Sequence, residues 1–239
     1  MKPLVVASNL FNEIAQCEKW LDNMLNIADA GIVIVDTGST DGTREFFMMK
    51  IEEGFPIIFI TDDIILREGY GHARNHLRQM ARLHFPNAHW MAYFDADERI
   101  LPEDYHKLRF MKDNLTENYD VIAFPRIDWK DDNMSTMAKD WRVYPDYQAR
   151  MTRLSSPVTY VRKLHEQITG HNEIYATLNN PKIHHFHRTA GQKKRDFIGL
   201  VCAKLHMEDK EYGSSYPEHH KEAMYRERFL KEGLGMKNE

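Results

Sequence analysis

The sequence predicts an α/β protein: a mostly parallel sheet flanked by helices, followed by a C-terminal helical tail. Three observations carry this. The first hundred residues alternate between short β-branched or apolar runs and amphipathic segments, and that rhythm implies strand–helix–strand units. Gly31-Ile32-Val33-Ile34-Val35 is apolar without alternation, as in a parallel strand covered on both faces. The chain of 239 residues is 42% hydrophobic and 28% charged, enough to fill a core and inconsistent with wholesale disorder.

The elements follow in order. Leu4 to Ala7 is a first strand. Residues 12–28 place Ile14, Cys17, Leu21, Met24, Leu25 and Ala28 on one face at spacings of three and four, which predicts a helix. Gly31 to Val35 is the second strand. A helix over Thr40–Lys50 follows, with Ser39 or Thr40 near its N-cap. Pro56 to Ile60 is a strand, Gly71 to Leu83 a helix and Trp90 to Phe94 a strand. Beyond residue 100 the alternation breaks. Tyr105–Asn114 reads as a helix, and Asp120–Pro125 and Gln148–Leu154 as strands. Between those two strands lies a polar stretch, Asp128 to Asp146, with Trp129, Trp141 and Tyr144, suited to a binding lid. Ile183–His187 is a last strand, and 192–211 and 217–232 are charged helices, the first with a stripe of Phe197, Leu200, Val201 and Leu205. The expected organisation is one domain over 1–190, with a first half to residue 100, a second half from 101, and a helical extension over 191–239.

Composition excludes several classes. Lys and Arg number 32 against 36 Asp and Glu, a formal charge of −4, whereas a dedicated nucleic-acid binder is usually basic. Cys17 and Cys202 are the two cysteines, too few for a disulfide scaffold or a four-thiolate zinc site. No run approaches 18 apolar residues, so no membrane span is expected. The apolar N-terminus is too short for a signal peptide. These readings point to a reducing, cytoplasmic setting in the cell or in an infected host cell.

In a doubly wound sheet, ligands bind beyond the carboxyl ends of the strands. Polar residues gather after three of the predicted strands: Ser8, Asn9, Asn12 and Glu13; then Asp36-Thr37-Gly38-Ser39-Thr40-Asp41-Gly42-Thr43; then Asp95-Ala96-Asp97-Glu98. Two carboxylates one small residue apart can reach a hard divalent cation whose shell is completed by phosphate oxygens; a plain turn is the alternative, since Asp favours turns. Gly38 and Gly42 permit tight turns and close backbone approach. Asp36 ends a strand and can accept hydrogen bonds from a base or ribose, while Asp41 is placed to cap the next helix. Neither a Gly-x-x-x-x-Gly-Lys-Ser/Thr loop nor a Gly-x-Gly-x-x-Gly turn follows a strand, so P-loop and dinucleotide readings lack support.

Residues 4–98 resemble the nucleotide-sugar half of the family two glycosyltransferases of GT-A fold, a Rossmann-like architecture. The likeness is carried by Val5-Val6-Ala7-Ser8-Asn9 with Asn12-Glu13, Val35 to Thr43, Gly71-His72-Ala73-Arg74-Asn75 and Phe94-Asp95-Ala96-Asp97-Glu98, in the family's order. Leu164-His165-Glu166-Gln167-Ile168 is similar to the acceptor-side segment and Ile183-His184-His185-Phe186-His187 to the late metal-histidine segment. The compact chain is also similar to virus-encoded and bacterial members, chlorovirus enzymes among them. The resemblance implies a hexosyl- or deoxyhexosyltransferase that uses Mn²⁺ or Mg²⁺ to move a sugar from a nucleoside diphosphate, UDP above all, to a hydroxyl on a glycan or other acceptor. It puts Ser8, Asn9, Asp36, Gly38, Ser39, Arg74, Asp95 and Ala96 around the nucleotide: Asp36 on the base, Arg74 on the base or diphosphate, Asp95 on the ribose. Asp97 would bind the metal of this Asp-x-Asp motif. The family often has Asp where Thr37 stands, which leaves the base contact open.

Strand alternation sets His185 and His187 on one face and His184 on the other. Imidazole suits Mn²⁺ better than Mg²⁺, and the family likeness favours His185 as ligand, with His187 next. Glu166 is the candidate general base, with His165 beside it: inverting transfer needs a carboxylate near the acceptor hydroxyl. The alternative places both residues on the donor sugar or in a surface pair. Two other functions compete. A sugar nucleotidyltransferase would show a Gly-rich basic N-terminal loop, and residues 8–13 hold no Gly, Lys or Arg. A non-catalytic nucleotide-sugar-binding module would bind without turnover. A zinc hydrolase is disfavoured because no His-Glu-x-x-His occurs.

Overall fold

The computed structural model describes residues 2–138, 144–186 and 192–209. Its first half follows the predicted alternation. β1 (Leu4–Leu10), α1 (Ile14–Leu25), β2 (Gly31–Asp36), α2 (Thr43–Glu52), β3 (Ile57–Thr61), α3 (Ile64–Glu68), α4 (Tyr70–His84) and β4 (Trp90–Tyr93) succeed one another. The four strands are parallel in the order β3–β2–β1–β4. On α1 the buried face is Cys17, Trp20, Leu21 and Met24, whereas Ile14 is exposed. The predicted stripe was therefore offset by about one turn at its start, and Trp20 is its largest buried member.

The second half departs from a mostly parallel sheet. β5 (Glu98–Ile100), α5 (Tyr105–Asn114), β6 (Tyr119–Asp128), β7 (Asp146–Arg153), β8 (Thr159–Val161), β9 (Gln167–Thr169), β10 (Glu173–Ala176), β11 (Ile183–His185) and α6 (Gln192–Glu208) complete the chain's described elements. The sheet runs on as β4–β7–β6–β11–β5, with β10 beside the first part of β6. β7 is antiparallel to both β4 and β6, and β5 is antiparallel to β11. The sheet is mixed. Among the described residues no helix lies between β6 and β7, and adjacent parallel strands need such a crossover. β8 and β9 form a separate antiparallel pair. The predicted helix over 217–232, Trp141 in the polar stretch and His187 lie outside the described residues.

Alternation along the strands divides the core. Leu4 and Val6 face the layer of α1, α2 and α5, with Trp20, Phe47 and Leu108. Val5 and Ala7 face the layer of α3, α4 and α6, with Leu77, Leu200, Val201 and Leu205. The predicted α6 stripe is thus buried against the sheet side that carries α4, and Phe197 stacks on Phe11, just beyond β1, at 4.6 Å between ring centroids.

The entry to α4 is fixed by contact with the chain after β8. The Tyr70 and Gly71 amides donate to the Lys163 and Arg162 carbonyls at 2.8 and 3.2 Å. Asn75, one turn on, treats Tyr160 as a strand partner: its Nδ2 donates to the Tyr160 carbonyl and its Oδ1 accepts from the Tyr160 amide, both at 2.8 Å. A Cβ at Gly71 would stand 2.4 Å from the Arg162 carbonyl oxygen, so glycine is required by backbone approach. Gly71→Ala should therefore destabilise the protein by about 1–3 kcal/mol in urea unfolding. Gly199→Ala, where a Cβ meets nothing within 4 Å, should instead stabilise α6 by about 0.5–1 kcal/mol.

Candidate active site

The loops after β1 and β2 are knitted into one wall. Asp36 is fully buried, and its carboxylate accepts from the Gly38 amide (3.2 Å), the Ser39 amide (3.0 Å) and the Ser39 hydroxyl. Ser39 Oγ in turn accepts from the Asn12 amide at 2.8 Å, and Asn12 Oδ1 accepts from the Thr40 amide at 2.8 Å. Asp41 braces two helices at once, accepting from the Ile14 amide that opens α1 and from the Thr43 amide and hydroxyl that open α2. Burial alone would raise the Asp41 carboxyl; these hydrogen bonds outweigh it and hold the group below its ordinary value. The sequence reading put Asp36 against a nucleotide base. In the structure the side chain folds back onto its own turn and organises it. The buried polar atoms without a protein partner here are Ser8 Oγ, Asn9 Oδ1 and Thr37 Oγ1. A buried hydroxyl or amide left unpaired is costly, which makes these atoms candidates for a ligand's polar groups. Thr37 was not among the predicted site residues.

The Asp95–Glu98 turn sits on a chain of alternating charges. Arg150 of β7 donates through Nη2 to Asp95 Oδ2 at 2.7 Å and to Glu98 Oε1 at 2.5 Å. Glu98, 0% exposed, also receives the Asp95 amide on Oε2 at 3.1 Å. Arg126 of β6 lies 3.7 Å from Glu98 and pairs with Asp146 at 2.7 Å and Asp128 at 3.8 Å. Asp128 holds His185 Nδ1 at 2.5 Å, and His185 Nε2 faces Asp97 Oδ2 at 3.5 Å. Arg99 ties the same turn from below, donating to the Ala96 and Glu98 carbonyls at 2.6 and 2.8 Å. The charges respond accordingly. Burial would raise Asp95, but Arg150 and Arg74 bring it below its ordinary value. Burial pushes Glu98 up despite Arg150. Burial would lower His185, but the hydrogen bonds to Asp128 and Asp97 push it up to about 10.

This arrangement tests the expected metal centre. Among the described residues there is no cluster of three or more His, Cys, Asp or Glu side chains that could hold an ion. The chain offers a pair, Asp97 and His185. Two ligand atoms 3.5 Å apart suit one cation bonded at about 2.0–2.2 Å. The carboxylate of Asp128 on Nδ1 orients the ring so that Nε2 faces Asp97, and a divalent ion there would take the place of the Nε2 proton, with Asp128 as the outer partner of the imidazole. Both residues fit a divalent ion that takes its remaining ligands from a phosphate-bearing substrate. His184 points elsewhere, accepting from Trp129 Nε1 at 2.9 Å and stacking on that indole, in keeping with the predicted alternation.

The acceptor-side candidates meet the nucleotide half directly. Arg74 Nη2 pairs with Glu166 Oε1, both side chains being largely buried. The guanidinium lies over Tyr93 at 4.0 Å and Tyr160 at 5.5 Å. Glu166 follows His165 and lies three residues from Lys163, in a segment where Arg162 and His165 have φ of 75° and 52°, conformations that non-glycine residues adopt sparingly. Ser8, Asn9, Gly38, Ser39, Ala96, Asp95, Arg74, Asp97 and His185 thus all lie at or beside the carboxyl ends of β1, β2 and β4. Sequence reasoning did not single out Arg150, Arg126 or Asp128, and it named Glu98 within its motif without giving it a role. Their signal was present in part: Arg150 and Arg153 fall inside a predicted buried strand, where a cation requires a carboxylate.

Removing Arg150 leaves Glu98 buried beside an unpaired Asp95. Arg150→Ala should cost about 3–5 kcal/mol of unfolding free energy, read by urea melts, and replacement of the exposed Arg67, whose pairs are on the surface, far less.

Comparison with known proteins was made against this geometry. The sequence profile of the family described as Glycosyl transferase family 2 matches residues 9–163. No curated protein sequence matches the chain significantly. Among solved structures, it is similar to the mannosyltransferase PcManGT from Pyrobaculum calidifontis, in complex with GDP-Man and Mn²⁺, with TM-score 0.52 and 13% identity over 96% of this chain and 70% of that one. It is also similar to S. aureus TarS, with TM-score 0.50 and 14% identity over 98% of this chain and 46% of that one. At such identities the likeness is one of fold. Nothing in these matches carries the expected kinship to chlorovirus enzymes. No helix among the described residues is long and apolar enough to cross a membrane. The profile spans well over half the sequence, from the end of β1 past β8, and takes in the Asp95–Glu98 turn, Arg74 and Arg150: the chain belongs to Glycosyl transferase family 2.

Proposed function

We propose that the chain moves a sugar from a nucleoside diphosphate sugar to an acceptor hydroxyl, on a glycan or similar molecule, with one Mn²⁺ or Mg²⁺ held by Asp97 and His185. The observation that carries this is the His185–Asp97 approach at 3.5 Å with Nδ1 already bound to Asp128. The family membership and the GDP-Man and Mn²⁺ complex of the similar mannosyltransferase support it. A bound divalent ion would neutralise the charge that grows on the departing diphosphate.

The chain's own residues take the remaining roles. Ser8, Asn9 and Thr37 offer their unpartnered atoms to the base and ribose, and Gly38 and Ser39 keep the backbone close. Asp36 holds that loop in shape from behind. Asp95, with Oδ2 fixed by Arg150 and its side chain 36% exposed, presents its outer edge to a ribose hydroxyl. Arg74 supplies positive charge to the diphosphate. Glu166 accepts the proton of the acceptor hydroxyl as the new bond forms at the sugar carbon and the old bond's electrons pass to the diphosphate, with His165 beside it; this corresponds to an inverting reaction. UDP is the expected nucleotide, and a cytoplasmic setting is in keeping with a sequence of two cysteines, both free.

Two outcomes test the reading. Nucleoside diphosphate binding, followed by calorimetry, should be tighter with Mn²⁺ than in chelator, and His185→Ala should raise the apparent metal constant about 10–100-fold while His184→Ala leaves it nearly unchanged. Equal constants for the two variants would remove His185 from the site. Glu166→Gln keeps the side-chain shape and removes the proton acceptor, so turnover should fall about 10²–10⁴-fold. A product with retained anomeric configuration by NMR would exclude the single-displacement scheme.

A further inference from the structure

The Arg74–Glu166 pair joins the two functional halves: Arg74 stands on α4 among the nucleotide elements, and Glu166 on the segment between β8 and β9. Both are largely enclosed, with side chains 11% and 13% exposed. Arg74 is drawn two ways. Burial would lower its basicity, and Glu166 and Asp95 raise it while Arg150 opposes them. Its Nη2 meets Glu166, but its Nε is buried without a hydrogen-bond partner. The guanidinium therefore does not place Nε and Nη2 together on the carboxylate, the arrangement that makes such pairs strong. The groups that face Glu166 are Arg74 and Tyr70 from α4 and the Cys202 thiol from α6, so Arg74 is the cation among these neighbours. The ring faces of Tyr93 and Tyr160 confine the guanidinium without supplying it an anion.

We propose that Glu166 and the donor's diphosphate compete for Arg74, so that donor binding draws Arg74 away and releases Glu166 toward the acceptor hydroxyl. This rests on the reading of Glu166 as the proton acceptor and of Arg74 as a diphosphate contact. A diphosphate offers several oxygens in the planar geometry a guanidinium prefers. While Arg74 Nη2 bonds Glu166 Oε1 that oxygen is engaged, and once released in the loaded site it is available to the acceptor hydroxyl. The pair thereby delays proton abstraction until the sugar to be transferred is in place. In the transfer itself the acceptor's proton passes to Glu166, the acceptor oxygen bonds the sugar carbon, and the carbon–oxygen bond to the diphosphate breaks with its electrons on the leaving oxygen.

The test is nucleotide affinity, measured by calorimetry with UDP and with GDP in Mg²⁺. Competition predicts that Glu166→Gln binds the better nucleotide about three- to tenfold more tightly than the wild type, the scale of one released ion pair. The gain must vanish in an Arg74→Gln background, where Arg74→Gln and the double variant should bind equally. Glu166→Asp, which keeps the charge but withdraws it by one methylene, should show part of the gain; a uniform effect of charge predicts none, and this arm stands even if Arg74→Gln does not fold. Unchanged or weaker binding by Glu166→Gln overturns the competition while leaving the base role to be judged by turnover. The same gain with and without Arg74 also overturns it. Full turnover by Glu166→Gln refutes the base reading separately, and failure of the wild type to bind either nucleotide refutes the donor reading and the competition with it.

Discussion

The structure depends on a single clasp of alternating charge. From Asp95 through Arg150, Glu98, Arg126, Asp128 and His185 to Asp97, each group is held by one of opposite sign. The carboxylates at its two ends belong to the turn after β4. The cations come from β7, β6 and β11, strands that the chain reaches only 30 to 90 residues later. Burying Glu98 completely would be prohibitive without Arg150, because removing an ion from water costs several kcal/mol that only a well-placed partner offsets. The clasp therefore makes the turn's geometry conditional on the second half being folded. It also explains why β7 inserts antiparallel beside β4: that place in the sheet puts Arg150 directly under Asp95 and Glu98.

A second, weaker junction lies on the other side of the site. Gly71 and Asn75 bind the backbone around Tyr160 and Arg162, and between them Arg74 reaches Glu166. The run Gly71-His72-Ala73-Arg74-Asn75 looks in the sequence like a nucleotide motif. In the structure its glycine and asparagine serve to dock the chain around β8. Only the arginine between them carries a charge that a substrate could claim. The motif is thus one helical turn that both fixes the hairpin and interrogates what enters beside it.

The parts of this arrangement that were legible in the sequence are the local ones. Periodicity found β1 to β4 and the helices α1, α2 and α4, though not the short α3, because each element's burial is decided by its own residues, with Val33 and Val35 facing one layer and Ile32 and Ile34 the other. Residues at strand ends were legible for the same reason, as was the opposite facing of His184 and His185. The mixed sheet was not legible, because antiparallel insertion of β7 depends on a return loop with no periodic pattern. β5 was not among the predicted strands, since Glu98 and Arg99 are charged and their burial follows from partners far along the chain. The turn that Asp36 organises was not foreseen in the sequence. A strand-final aspartate can serve a ligand or its own turn, and only the positions of the Gly38 and Ser39 amides decide which.

The charge count of the clasp bears on how a donor enters. Asp95, Asp97, Glu98, Asp128 and Asp146 face Arg99, Arg126 and Arg150, with His185 between Asp97 and Asp128, so carboxylates outnumber guanidinium groups. Arg74 does not redress this while Glu166 occupies it. A nucleoside diphosphate is itself anionic, and a low-dielectric crevice with surplus carboxylates repels it more strongly than open water does. A divalent ion at Asp97 and His185 reverses that sign where the phosphates must lie, and an Arg74 freed from Glu166 adds to the reversal. On the proposed reading, then, metal and donor do not bind as independent events. The carboxylates that make the site repulsive to the nucleotide alone are what make it attractive to the metal–nucleotide complex, and the clasp beneath them holds those carboxylates at the spacing that the complex requires.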